Sequence, residues 1–172
     1  MRVTLLGNAG SGKSTLARKI ARHHDLPLVE LDQLLWQEGW EQTPDADFAA
    51  LQEAELLKPR WVIDGMGPLF SLGPRLHRAT HVILCDLPLW QNHWLVAERY
   101  TAWKMGAMEH PPGGQKTPPS SELVHRFLAR VDAEFMPTVR QMVEDARGHA
   151  HVTVLPSFEH VRNFNVSALA AR

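Results

Sequence analysis

Residues 7 to 15 read GNAGSGKST, and no other stretch restricts the fold of this chain as much. Gly7, four residues, then Gly12-Lys13-Ser14 is the spacing of a loop whose backbone wraps an anion. Gly7, Gly10 and Gly12 carry no Cβ, so the chain can curl there and aim the N–H groups of Asn8, Ala9, Ser11 and the residues up to Ser14 at one phosphate. Lys13 supplies a mobile point charge for β- and γ-phosphates, and the Ser14 hydroxyl is a hard oxygen ligand suited to Mg²⁺, with Thr15 capping beside it. The flanks decide whether this is more than a glycine-rich turn. RVTLL before it reads as a buried strand, and STLARKIARHH after it reads as a helix with Leu16, Ala17, Ile20 and Ala21 on its apolar face. Strand, loop and helix together are the context a phosphate cradle needs, because the helix N-terminus adds its dipole to the site.

The same alternation continues along the chain. Strands are expected over residues 26–32, 60–67, 80–88 and 151–155, each a mostly apolar run, with a helix over 45–57 capped by Asp45 or Thr43, a short helical turn over 71–79 and a helix over 89–103. Residues 105–120 hold four prolines and three glycines and read as a loop. Residues 121–147 read as a long helix that Pro137 kinks or divides, and the tail reads as a final helix. Apolar strands alternating with helices predict an α/β fold with a parallel sheet covered on both faces. Ligands of such sheets bind beyond the carboxyl ends of the strands, where the glycine loop, Asp32, Asp64 and Asp86 all fall.

The 172 residues suit one domain, or a core with a small insertion. Eighteen Lys and Arg against 19 Asp and Glu give no field that would gather nucleic acid. Arg18, Lys19 and Arg22 read as one solvated helix face. The single cysteine, Cys85, excludes a disulfide framework and reads as an inert core residue. A strand beginning at residue 2 leaves no space for a signal peptide, and no apolar run approaches the ~20 residues of a membrane helix, so a cytoplasmic protein without a membrane partner is expected. No histidine pair has metal-ligand spacing with the cysteine, so no zinc site is expected.

Asp64 ends a strand and is the candidate second Mg²⁺ contact beside Ser14; Asp-Gly is also a common turn dipeptide. Asp32 either orients an acceptor and takes its proton or caps the next helix, and Asp86 reads as structural. Trp36 and Trp40 either wall an acceptor pocket or cover the core.

The chain resembles the nucleoside-monophosphate-kinase type of phosphate-loop kinase, and within it the adenylate-kinase-related proteins often labelled DNA topology modulation proteins. GNAGSGKST, LDQLLWQEGW, WVIDGMG, and HVILCDLP followed by LVAERYTAWK carry the resemblance, over roughly residues 1 to 145. It implies a P-loop NTPase three-layer α/β/α sandwich, a five-stranded parallel sheet in the order 2-3-1-4-5, and a lid insertion. One kinase domain would then span residues 1–172, with an acceptor-binding segment near 32–58 and a lid near 99–126. It also implies phosphoryl transfer from ATP with Mg²⁺ to a nucleoside monophosphate or a small hydroxylated metabolite. Lys13, Asp32, Asp64, Arg99 and Arg126 are the expected catalytic set, with Arg99 opening the lid over the nucleotide and Arg126 or Arg130 closing it. Two departures stand out. Met66-Gly67-Pro68 replaces the arginine-bearing text that follows Asp-Gly in adenylate kinases, leaving Arg75 as a substitute from the next turn. Between Tyr100 and Ser120 the only Lys or Arg are Lys104 and Lys116. A nucleotide-gated binding protein is the alternative. A GTPase also matches Asp64 to Gly67 and Ser167-Ala168, yet the chain has no Asn-Lys-x-Asp motif.

Overall fold

A computed structural model describes residues 1–108, 110–111 and 115–169. Five strands form one parallel sheet: β1 (Arg2–Gly7), β2 (Leu28–Glu30), β3 (Trp61–Asp64), β4 (His81–Cys85) and β5 (His151–Leu155), in the spatial order β2-β3-β1-β4-β5. This is the order the resemblance implies. β3 and β4 are buried along their whole length, as strands covered on both faces must be.

Side-chain alternation then sorts the core into two halves. Trp61 and Ile63 of β3 join Val82 and Leu84 of β4 on one face. There they meet Phe48 of α3 (Asp45–Leu56), Leu72 of α4 (Leu72–Arg78), and Val139 of α7 (Met136–Asp145). Val3 and Leu5 of β1, Val62 and Ile83 point to the opposite face, against Leu16, Ala17 and Ile20 of α1 (Lys13–His24) and Val161 of α8 (Phe158–Arg162). Each of these large side chains withdrawn from water is worth about 1.5–3 kcal/mol. Among the described residues no helix is long and apolar enough to cross a membrane.

Several element bounds differ from the sequence reading. β2 is an edge strand of three residues, because Pro27 lacks an N–H and the chain turns at Leu31 into α2 (Leu31–Leu35). Asp32 therefore lies in the first turn of a helix rather than at a strand end. Neither Thr43 nor Asp45 caps α3. Pro44 holds the cap position, and the Thr43 hydroxyl donates instead to the Leu34 carbonyl at 2.7 Å. The long helix is divided into α6 (Ser121–Arg130), a π turn at Val131–Phe135, and α7, whose first turn contains Pro137. α5 (Leu89–Lys104) leads into the proline-rich segment. After α8 the described part of the tail holds a 3₁₀ turn, Val166–Ala168. Residues 170–172 of the expected last helix, and residues 109 and 112–114 of the expected lid, lie outside the described residues.

Cys85 is 1 % exposed at the end of β4, and burial pushes its thiol up to about 12. Because the thiolate is the nucleophile, the folded protein is expected to resist iodoacetamide at pH 8 and to be alkylated only once unfolded. Rapid labelling of the native chain would contradict that placement.

Candidate active site

The glycine loop leaves β1 in a conformation that side chains oppose. Gly7 has φ 144°, and a Cβ there would stand 2.5 Å from the Cys85 carbonyl oxygen on the paired strand. Gly10 has φ 75°, and a Cβ would stand 2.6 Å from Val96 Cγ2 and 2.8 Å from the Asn92 carbonyl oxygen. The loop is thus pressed onto α5. It is also stapled. Asn92 Nδ2 donates to the Ala9 carbonyl at 3.1 Å, and Asn8 Nδ2 donates to the Leu128 carbonyl of α6 at 2.9 Å. Asn8 Oδ1 in turn accepts from the Ala9 N–H at 2.8 Å.

α1 begins at Lys13 with Gly12 at its cap and no side-chain cap. The first N–H groups of a helix have no intrahelical partner, so this end offers donors to which an anion could bind. Lys13 Nζ rests on the Asn8 carbonyl at 3.3 Å, folded across the loop it would share with a phosphate.

Asp64 ends β3 beside this helix start. It is 4 % exposed, and its Oδ1 is buried without a hydrogen-bond partner. Desolvation raises its pKa above the ordinary 3.8; Lys13 and a hydrogen bond from Ser14 oppose that rise, and Asp32 and Glu30 add to it. A buried carboxylate with an unused oxygen beside a serine hydroxyl fits a hard divalent cation. Among the described residues no three His, Cys, Asp or Glu side chains form a metal cage, so such a cation would draw most of its ligands from water or phosphate oxygens.

Because burial raises the Asp64 pKa, the unfolded chain holds fewer protons between pH 3.8 and the raised value, and stability falls as pH rises through that window. Above that window the folded protein carries an ionised carboxylate that burial disfavours. Asp64→Asn is therefore expected to raise the Tm of the ligand-free protein by about 2–4 °C. A lower Tm in a thermal scan would show that the carboxylate is stabilising instead.

One cavity of about 440 Å³ opens over these groups. Gly10, Gly12, Lys13, Ser14 and Thr15 line it from the loop and α1, with Leu95 and Phe158 nearby. Asp32, Asp64 and Arg99 line it as well, so four of the five expected catalytic residues share one cavity. Burial lowers the Arg99 pKa, and the Asp32 charge opposes the fall.

Arg126 is not brought there. It lies on α6 with its side chain 74 % exposed and pairs with Glu122 at 3.5 Å. Arg130 is likewise turned to solvent and pairs with Glu134. Arg75 does not reach the cavity either. It is fully buried, Nη2 donates to the Met66 carbonyl at 2.7 Å, and burial lowers its pKa to about 9 against the pull of Asp64. Trp40 meets Trp36 edge-on at 5.5 Å between centroids and Trp103 at a tilt at 5.9 Å, and none of the three lines the cavity. Asp86 accepts both guanidinium bonds of Arg140 at 2.9 Å, a structural role.

Arg18 and Glu30 are charged lining residues that the sequence reading did not assign to the site. Arg18, read as solvated, is only 23 % exposed and pairs at 2.6 Å with Glu30, which sits opposite Asp64 in the β2–β3 register. The signal for Glu30 was its place at the carboxyl end of an edge strand. The described part of the proline-rich segment closes over this end. Gln115 accepts from the Gly39 N–H at 3.2 Å and donates to the Gln37 carbonyl, and Trp40 Nε1 donates to the Thr117 carbonyl at 3.3 Å.

No protein-family model matches the chain, and no curated protein matches it.

Proposed function

We propose that this chain is an ATP-dependent phosphotransferase of P-loop NTPase architecture, moving the γ-phosphoryl group of Mg·ATP to a small acceptor. The observation that carries the reading is the convergence of Lys13, Ser14, Asp64 and Arg99 on one cavity at the carboxyl ends of parallel strands. Each feature has a job in transfer. The loop amides and Lys13 hold the β- and γ-phosphates and offset their charge. Ser14 and Asp64 would hold Mg²⁺, which neutralises phosphate charge when bound. Arg99 offers a planar, multi-donor partner to oxygens on which charge develops in the transition state. The segment over residues 33–40 and the lid residues hydrogen-bonded to it keep water from the phosphoryl group. A cytoplasmic setting belongs to the same proposal, since a lone thiol suits a reducing compartment.

The test is ADP formation from Mg·ATP with and without an acceptor. Arg99→Ala is expected to lower kcat by about 10²-fold. Arg126→Ala is expected to change it by about twofold or less, because that side chain is exposed and away from the cavity. ATP binding without acceptor-dependent turnover would favour a nucleotide-gated binding protein. Equal losses in the two variants would remove the distinction drawn between the arginines.

A further inference from the structure

The cavity is charge-balanced before any ligand enters. Lys13, Arg18 and Arg99 stand against Glu30, Asp32 and Asp64. Lys13 rests on the loop and belongs to the donor phosphates. Arg18 is committed to Glu30 at 2.6 Å, and Arg99, which feels the charge of Asp32, is assigned above to the oxygens of the transferring phosphoryl group. A phosphate monoester as acceptor needs a guanidinium whose donors are free. Arg75 is fully buried with Nη2 on the Met66 carbonyl, and although its Nε and Nη1 have no partner among the described residues, it does not line the cavity.

The cavity also lacks a platform for a second nucleobase. Among the described residues, Phe158 is the only Phe, Tyr or Trp that lines it, and it sits against Gly12 on the donor side. The tryptophans of the acceptor segment are spent on one another. Beyond the loop and the arginines, the polar lining is Glu30, Asp32, Asp64, the amide of Gln33 and the imidazole of His110. Carboxylates accept hydrogen bonds from hydroxyl groups, and repel phosphates. A volume of about 440 Å³ that must also hold the donor's phosphates leaves space for a molecule of sugar size.

We infer that the acceptor is a small uncharged polyol, phosphorylated on a hydroxyl that faces Asp32, and not a nucleoside monophosphate. The inference rests on the phosphotransfer reading above. In the step, the acceptor oxygen forms a bond to the γ-phosphorus as the bond from that phosphorus to the β–γ bridging oxygen breaks. The bond's electron pair leaves with ADP, and the hydroxyl proton passes to the Asp32 carboxylate. Products are the polyol phosphate and ADP.

The experiment measures acceptor-dependent ADP formation with three sets: glycerol, ribose, ribitol, glucose and sorbitol; gluconate and shikimate; and the four common ribonucleoside monophosphates. A neutral polyol is expected to exceed every nucleotide in kcat/KM by about 10²-fold or more. With that polyol, Asp32→Asn is expected to lower kcat by about 10²–10⁴-fold while KM and the Kd for Mg·ATP stay within about threefold. The unchanged Kd shows that the variant is folded. Preference for a nucleotide or a carboxylated acceptor, or full kcat in Asp32→Asn, overturns the inference and leaves the kinase reading standing. No turnover with any set removes both.

Discussion

Replacing Lys13 by alanine is expected to lower the rate of phosphoryl transfer by about 10³-fold, about ten times the loss expected for Arg99→Ala. Lys13 lines the cavity at the start of α1 and, unlike Arg18, is not held by a carboxylate in an ion pair among the described residues. Its ammonium has only the Asn8 carbonyl to leave when phosphates arrive, so little reorganisation opposes its use. Its removal acts a second way. Desolvation raises the Asp64 pKa, and the Lys13 charge is the largest opposing influence. Without it Asp64 holds its proton to higher pH, so the residual activity of Lys13→Ala should need a more alkaline solution than that of the wild type. The measurement is a pH–rate profile of both proteins. A loss under about tenfold, with an unmoved profile, would show that the loop works without its lysine.

Gly7→Ala is expected to have the largest effect on stability. At φ 144° a side chain is strained wherever it points, and here the new Cβ meets backbone rather than a flexible side-chain end, 2.5 Å from the Cys85 carbonyl oxygen. That oxygen cannot retreat, because β1 and β4 are paired across Gly7 and Cys85 in the middle of the sheet. Left-handed strain and a forced overlap each cost about 1–3 kcal/mol, so a total near 4 kcal/mol and a fall in Tm of about 8 °C or more are expected. Gly39→Ala is the matching control. Gly39 also has a left-handed φ of 79°, but nothing lies within 4 Å of the position its Cβ would take. It should therefore lose only the conformational part. Thermal unfolding followed by circular dichroism separates the two, and equal losses would mean that the close approach to Cys85 contributes nothing.

The glycine loop was legible because its information is local. Glycine spacing, an apolar strand before it and an amphipathic helix after it are all read within a short stretch of chain. Asp64 could be found because strand ends point to a common place in parallel sheets, whereas Arg99 came only with the resemblance. The sheet order came only with the resemblance, since strand adjacency is set by crossovers that the local pattern does not encode.

The failures were tertiary. Arg18 looked solvated on its helix, but the edge strand delivers Glu30 to within 2.6 Å of it. Arg126 was a candidate by its position in the chain, and the rotation of α6 turns it outward. Asn92 was missed although a signal existed. It shares an apolar stripe of α5 with the buried Val96 and Trp103, and a polar residue in such a stripe must satisfy a buried backbone group. Here that group is the Ala9 carbonyl of the loop itself.

The most direct measurement is a calorimetric titration of Mg·ATP into the wild-type protein, repeated with EDTA in excess over the metal. A single saturable site with a Kd between about 1 μM and 1 mM, lost or greatly weakened without the divalent cation, is the expected result. Absence of saturable binding, or binding that does not depend on the cation, would contradict the assignment of the glycine loop, Ser14 and Asp64 to a nucleotide-binding site.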